Sequence, residues 1–223
     1  FRAPDGMQLM PHQAQLVASA AAGHRSFLLA DEPGLGKTAQ ALLAAQAADA
    51  YPLLCVVPNV VKTNWAREAG LWTPHRPVTV IHGDGSDIDG FADIVVVNYE
   101  VLDRHVGWLG DLGFKGMVVD EAHFIKNKTS QRSQHVLQLS ERIRSRTAHP
   151  LLMALTGTPL ENSLQDLWTL IDWVNPGLLG YRKEFQKLFR TPIEKHGDAV
   201  AQSRLNRRLR PFMLRRTKEQ VAT

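Results

Sequence analysis

The stretch Phe27-Leu28-Leu29-Ala30-Asp31-Glu32-Pro33-Gly34-Leu35-Gly36-Lys37-Thr38 opens apolar, turns on two glycines and leads into an Ala-rich segment, 37–50. A short apolar run, a glycine turn and a helical stretch in succession make a strand-to-helix junction. Glycines let backbone N–H groups turn inward around phosphate oxygens, and a helix N-terminus adds a favourable dipole. In that setting Gly34, Leu35 and Gly36 form the cradle, Lys37 reaches the β- and γ-phosphates and the Thr38 hydroxyl binds Mg²⁺. The strict phosphate-loop pattern begins with glycine, where this chain has Asp31. A plain glycine-rich turn is the alternative reading of these residues.

Working outward, further apolar runs lie at 53–57, 78–81, 94–97, 117–119 and 151–155. They are apolar at successive positions rather than alternating, as parallel strands buried on both faces require. Helical stretches are expected at 11–22, 37–50, 61–69, 99–109, 130–144 and 164–174. This alternation predicts an α/β fold, a mostly parallel central sheet flanked by helices. The 117–119 run ends in Asp120-Glu121-Ala122-His123. Phosphoryl hydrolysis needs an acid to hold the Mg²⁺ shell and a base to orient water, and Asp120 and Glu121 suit those roles in that order. The 151–155 run ends in Thr156-Gly157-Thr158-Pro159, whose hydroxyls are placed to sense a γ-phosphate through Asp120 or His123.

The 223 residues are 44% hydrophobic and 22% charged, enough for one large core or two small ones. No apolar run nears the ~18–20 residues of a bilayer span, so no membrane partner is expected. No charged-then-apolar leader opens the chain, and no secretory signal is expected. The start at Phe1 and the stop at Thr223 read as an excised fragment. Cys55 is the only cysteine, which excludes an internal disulfide and fits a reducing compartment. Residues 1–181 hold 14 Lys and Arg against 18 Asp and Glu, whereas 182–223 hold 12 against 4. The basic excess is thus confined to a helical C-terminal segment, which points to a polyanion or to a solvated face. Two units are expected, a nucleotide-binding lobe over 1–181 and a basic helical extension over 182–223, interrupted at Thr191–Pro192 and Pro211.

Together these motifs resemble the first lobe of the SWI/SNF-type ATPases, helicase-like DNA translocases of superfamily two. Asp31–Thr38 resembles that family's DExGLGKT; Asp120–His123 with Ile125-Lys126-Asn127 resembles its DEAHxIKN. Leu155–Asn162 with Asp166-Leu167-Trp168 resembles LTGTPLEN…DLW, and Pro211–Arg216 its PFxLRR signature. The likeness implies a RecA-like P-loop lobe that binds ATP and Mg²⁺. By it, Gln13 reads adenine, Thr38 and Asp120 hold the metal, and Lys37, Asp120 and Glu121 are catalytic. His123, Thr156 and Thr158 would couple nucleotide state to DNA grip. Pro58 with Asn64, Trp65 and Glu68 resembles one DNA-strand motif and Asn98-Tyr99-Glu100 another. Lys62, Thr63, Asn98 and Tyr99 are the DNA-binding candidates, Lys62 and Thr63 being chemically suited to phosphate.

The implied partners are double-stranded DNA, a second motor lobe of the same parent chain, and a nucleoprotein or polymerase target. Nothing in the chain matches that second lobe or its arginine finger, worth ~10³–10⁵ in rate, so slow hydrolysis by this segment alone is expected. Pro33, Asn59 and Asn98 depart from the family pattern. Two other functions stay open: a strand-separating RNA or DNA helicase, and a non-hydrolysing DNA- or protein-binding platform. Arg over Lys usage, 17 against 9, with abundant Ala points to a GC-rich bacterial source. A cytoplasmic, nucleoid-associated location is expected there, a nuclear one in a eukaryote.

Overall fold

The structure is a computed structural model that describes residues 4, 7–31, 36–85, 88–127, 129–160 and 163–215. Gly34 and Leu35 of the phosphate loop, with Glu32 and Pro33, lie outside the described residues, as do Lys128, Glu161, Asn162 and Arg216.

Among the described residues seven strands form one sheet: β1 (Ser26–Leu29), β2 (Leu53–Val57), β3 (Val78–Val80), β4 (Ile94–Asn98), β5 (Gly116–Val119), β6 (Leu151–Leu155) and β7 (Met213–Leu214). Their order is β3-β4-β2-β5-β6-β1-β7, and the pairings among them are parallel. Alternate residues of each strand enter two separate cores. Leu28, Val56, Val97, Met117 and Ala154 pack on one face with α5 (Gln131–Arg146) and α6 (Leu164–Val174). Leu29, Cys55, Val96, Val118 and Met153 pack on the other with α1 (Pro11–Ala21), α2 (Lys37–Ala48) and α3 (Lys62–Trp72). That two-sided burial is why the strands read as continuous apolar runs.

Parallel pairing has one consequence for function: every strand ends at the same edge. Across that edge the carboxyl ends of β4, β2, β5, β6 and β1 lie in order. They deliver Asn98, Pro58, Asp120, Thr156 and Asp31 respectively. Crevices at such edges are where open α/β sheets take their ligands.

Three expectations are corrected. The helix expected at 99–109 is a 3₁₀ turn, Tyr99–Arg104, followed by a single α-turn, α4 (Val106–Leu109). The path breaks at His105, whose buried imidazole accepts from Trp108 Nε1 and bonds Gly83 O at 2.8 Å. The chain also does not break at Thr191–Pro192. Helix α7 (Arg182–Phe185) runs through a π-turn, Gln186–Arg190, into α8 (Thr191–His196). The wider turn, closed by the Thr191 N–H on Gln186 O, accommodates a proline with no N–H to give. The true stop is Gly197, left-handed at φ 57°.

The third correction is β7, absent from the expected strands. Two residues leave no hydropathic run, yet Leu28 N donates to Phe212 O and Ala30 N to Leu214 O, both at 2.7 Å. Beyond α9 (Ala199–Leu209), the basic segment therefore adds an edge strand to the central sheet. Phe185, Phe189, Leu205 and Leu209 join the core that α5 and α6 share. Phe185→Ala is accordingly expected to cost about 3–5 kcal/mol, read as a lowered urea midpoint for the whole unit. A separate early transition would show instead that the basic segment melts by itself.

Candidate functional site

The side expected to hold the nucleotide begins at the end of β1. Asp31 is fully buried, and Gln40 Nε2 reaches its Oδ2 at 3.5 Å. Gly36 then turns left-handed, at φ 75°, and opens α2. A Cβ on Gly36 would stand 2.5 Å from Gln13 Nε2, so a larger residue there would displace that side-chain amide, and the left-handed φ itself favours glycine. Gln13 is itself buried and fixed by its Oε1, which accepts from Met10 N at 3.0 Å. Lys37 lies half-buried in the first turn of α2, its Nζ donating to Asp31 O at 2.9 Å. Burial holds the Lys37 ammonium below its ordinary range, against the opposing fields of Asp31, Asp120 and Glu121. Lys37 therefore feels carboxylates delivered by β1 and β5, two strands apart in the sheet. Thr38 follows, also half-buried.

Asp120 and Glu121 leave the end of β5. Asp120 is held by three donors: Trp65 Nε1 on Oδ2 at 2.8 Å, Glu121 N on Oδ1 at 2.9 Å, and Tyr99 Oη on its carbonyl at 2.6 Å. Burial raises its carboxyl above the usual range; the Trp65 and backbone bonds, then Lys37 and His123, pull it back. Glu121 is left-handed at φ 50°, one of two described non-glycine residues there. A left-handed glutamate is an uncommon conformation. It turns the chain off the strand into the 3₁₀ turn Ala122–Ile125 and leaves Glu121 Oε2 3.4 Å from His123 Nδ1. Next along the edge, Thr156 is fully buried and its Oγ1 accepts from Thr158 N at 3.1 Å, while Thr158 is exposed.

The four DNA candidates divide. Thr63 is exposed. Lys62, Asn98 and Tyr99 are buried instead, each at most 6% exposed, and their polar atoms are spent inside the chain. Lys62 Nζ donates to Asn98 Oδ1 at 2.7 Å, and Asn98 Nδ2 donates to Glu100 Oε2 at 2.6 Å. Burial lowers the Lys62 ammonium, partly offset by Glu100. These residues form an internal bridge between α3 and the end of β4 rather than an open phosphate contact. Trp65, fully buried, donates to Asp120, a partnership its place in the sequence does not announce.

Other cations are largely paired. Lys126 Nζ lies 3.8 Å from Asp166, and Arg132 lies 3.8 Å from Glu100 with its guanidinium over the Phe124 ring. Arg142 and Arg146 share Asp111 near the surface. Arg144 is partly buried; it donates to Trp173 O, and burial lowers its guanidinium. Trp168 is a core residue, its Nε1 on Gly180 O at 3.2 Å. Among the described residues no helix is long and apolar enough to cross a membrane.

The family model of the SNF2-related domain matches residues 12–223. The chain is 33% identical over 210 residues to the ISWI chromatin-remodeling complex ATPase ISW2 of Saccharomyces cerevisiae, covering 88% of this chain and 18% of that protein. It is 35% identical over 221 residues to a SWI/SNF-related regulator of chromatin, subfamily A containing DEAD/H box 1A, of Danio rerio, covering 88% and 22%. It therefore spans about a fifth of the length of these curated relatives. The Sulfolobus solfataricus SWI2/SNF2 ATPase core, solved in complex with dsDNA, shares the fold at a TM-score of 0.81 and 36% identity, covering 97% of this chain and 46% of that one. Sequence motifs, the RecA-like parallel sheet and a family match over nearly the whole length agree, and the chain belongs to the SNF2-related domain family.

Proposed function

We propose that the chain is the first motor lobe of an ATP-dependent double-stranded DNA translocase. The observation that carries this reading is the meeting of one ammonium and two carboxylates, Lys37 with Asp120 and Glu121, at one edge of a parallel sheet. The donor set fits a magnesium nucleotide: a cation, a threonine hydroxyl, an acid and a second carboxylate beyond it. Left-handed Gly36 at the mouth of α2 has the backbone freedom a phosphate turn needs. Gln13, pressed against Gly36, suits the adenine. Thr38 and Asp120 would hold the Mg²⁺, which supplies charge neutralisation on the phosphates when bound.

The chain's own residues then divide the work. Lys37 exchanges its bond to Asp31 O for a phosphate oxygen. Glu121, turned away from the strand by its left-handed backbone, would orient water, with His123 Nδ1 3.4 Å from its Oε2. Thr156 and Thr158 follow the end of β6, the strand that lies between β5 and β1. The second lobe, supplied by the parent chain, would complete the catalytic charge. Remodelling of nucleoprotein, or displacement of a polymerase, are the outputs this motor would serve, in the nucleoid of a bacterium or the nucleus of a eukaryote. DNA would be gripped through phosphates, with Thr63 the exposed member of the candidate set.

Duplex affinity measured against salt tests the DNA half of this reading. Log affinity should fall linearly with log salt, with a slope of ~0.9 per phosphate neutralised. A flat response would contradict a phosphate grip. Thr63→Ala should lower the affinity about 2- to 10-fold, the worth of one surface hydrogen bond, without changing ATP binding. An unchanged affinity would remove Thr63 from the interface.

A further inference from the structure

Asp120 occupies a singular place at the sheet edge. It directly follows β5, whose neighbour on one side is β2, with β4 beyond. Strand β2 leads through Pro58 into α3, which carries Trp65; β4 leads directly to Tyr99. Two aromatic residues from the elements expected to serve DNA thus converge on the acid expected to serve the nucleotide.

The contacts are specific. An indole N–H donates only, and once buried it must find an acceptor. Trp65 is fully buried, and the acceptor it finds is Asp120 Oδ2 at 2.8 Å. Tyr99, also buried, spends its hydroxyl on the Asp120 carbonyl at 2.6 Å. The Glu121 N–H takes Oδ1. Each carboxylate oxygen therefore keeps one fixed donor and one lone pair to spare. A carboxylate held by two donors cannot rotate freely, although the Lys37 ammonium and the His123 imidazole both act on it.

We propose that Trp65 and Tyr99 are positioning residues for the Asp120 carboxylate, fixing the plane in which it receives the hydrated magnesium ion of the nucleotide. The proposal rests on the reading of Asp120 as the magnesium acid. Groups one shell away from a metal ligand set its orientation, and their loss typically costs ~10- to 100-fold in metal affinity. Both aromatics also belong to the segments that hold Lys62 and Asn98 together. The orientation of the acid is thereby tied to the packing of α3 against the end of β4.

The test is binding of a fluorescent ADP to the full-length protein while magnesium chloride is titrated, with an EDTA baseline. Trp65→Phe keeps one aromatic ring in the buried site, smaller than the indole, and deletes the donor; it should raise the magnesium concentration at half-saturation about 10- to 100-fold and leave the EDTA baseline unchanged. Tyr99→Phe should shift it in the same direction by less, since it acts through the backbone. In an Asp120→Asn background, Trp65→Phe should add less than a further twofold, as expected when one residue acts through the other. Full additivity of the two changes would overturn the proposal. So would an unshifted magnesium titration in Trp65→Phe while Asp120→Asn alone shifts it strongly. An unshifted titration in Asp120→Asn itself would overturn the magnesium reading of Asp120, and the proposal with it. If Trp65→Phe fails to fold, the isosteric Tyr99→Phe decides: a shifted titration supports the proposal and an unshifted one overturns it.

Discussion

Glu121→Gln is expected to abolish ATP turnover while leaving ATP affinity within about threefold. Loss of a positioned base typically costs ~10²–10⁴ in rate, and in a motor whose second lobe is present this would be the larger of the effects considered. Affinity should survive because Glu121 lies beyond the acid: Asp120, not Glu121, is gripped by Trp65, Tyr99 and the backbone. The amide preserves volume, and glutamine tolerates the left-handed φ of 50° no worse than glutamate. The experiment is a steady-state turnover assay beside equilibrium ATP binding. A collapse of binding together with turnover would show that Glu121 belongs to the binding set and not to hydrolysis.

Lys37→Ala should weaken ATP binding about 100-fold, the worth of a charge-assisted contact to a phosphate made where water is partly excluded. It should not unfold the protein. Burial already holds the Lys37 ammonium below its ordinary range, so the charge is a burden on the fold that nearby carboxylates only partly relieve. Its bond to Asp31 O is replaceable by water at a half-buried site. Calorimetric binding and a thermal melt, run on the same sample, separate the two quantities. Unchanged affinity would undo the phosphate-loop assignment, whereas lost affinity accompanied by a lowered melting temperature would trace the effect to folding.

What the chain itself announces, and what it hides, follows from how locally each feature is encoded. Strands buried on both faces must be apolar at every position, so 53–57 and 151–155 are legible to the residue. The residues proposed for the nucleotide stand out in the sequence too, because Gly36-Lys37-Thr38 and Asp120-Glu121 are contiguous and each follows a strand end. Whatever depends on register between distant strands is not. Trp65 and Asp120 are 55 residues apart, and only the adjacency of β2 and β5 joins them. Lys62 looks like a surface cation in sequence, yet its amine is drawn inward by Asn98, 36 residues away. Strand β7 is too short to carry a hydropathic pattern and exists because β1 offers it an unpaired edge. The π-turn before Pro192 is a backbone adjustment for which no residue type is a reliable marker.

The central claim, a motor lobe driven on duplex DNA, is tested most directly by ATP turnover of the full-length protein under four conditions: no nucleic acid, duplex DNA, single-stranded DNA and RNA. The expected result is slow basal hydrolysis and strong stimulation by duplex DNA alone. Equal or greater stimulation by single strands or RNA would contradict it in favour of a strand-separating helicase, and no turnover under any condition would contradict it in favour of a binding platform.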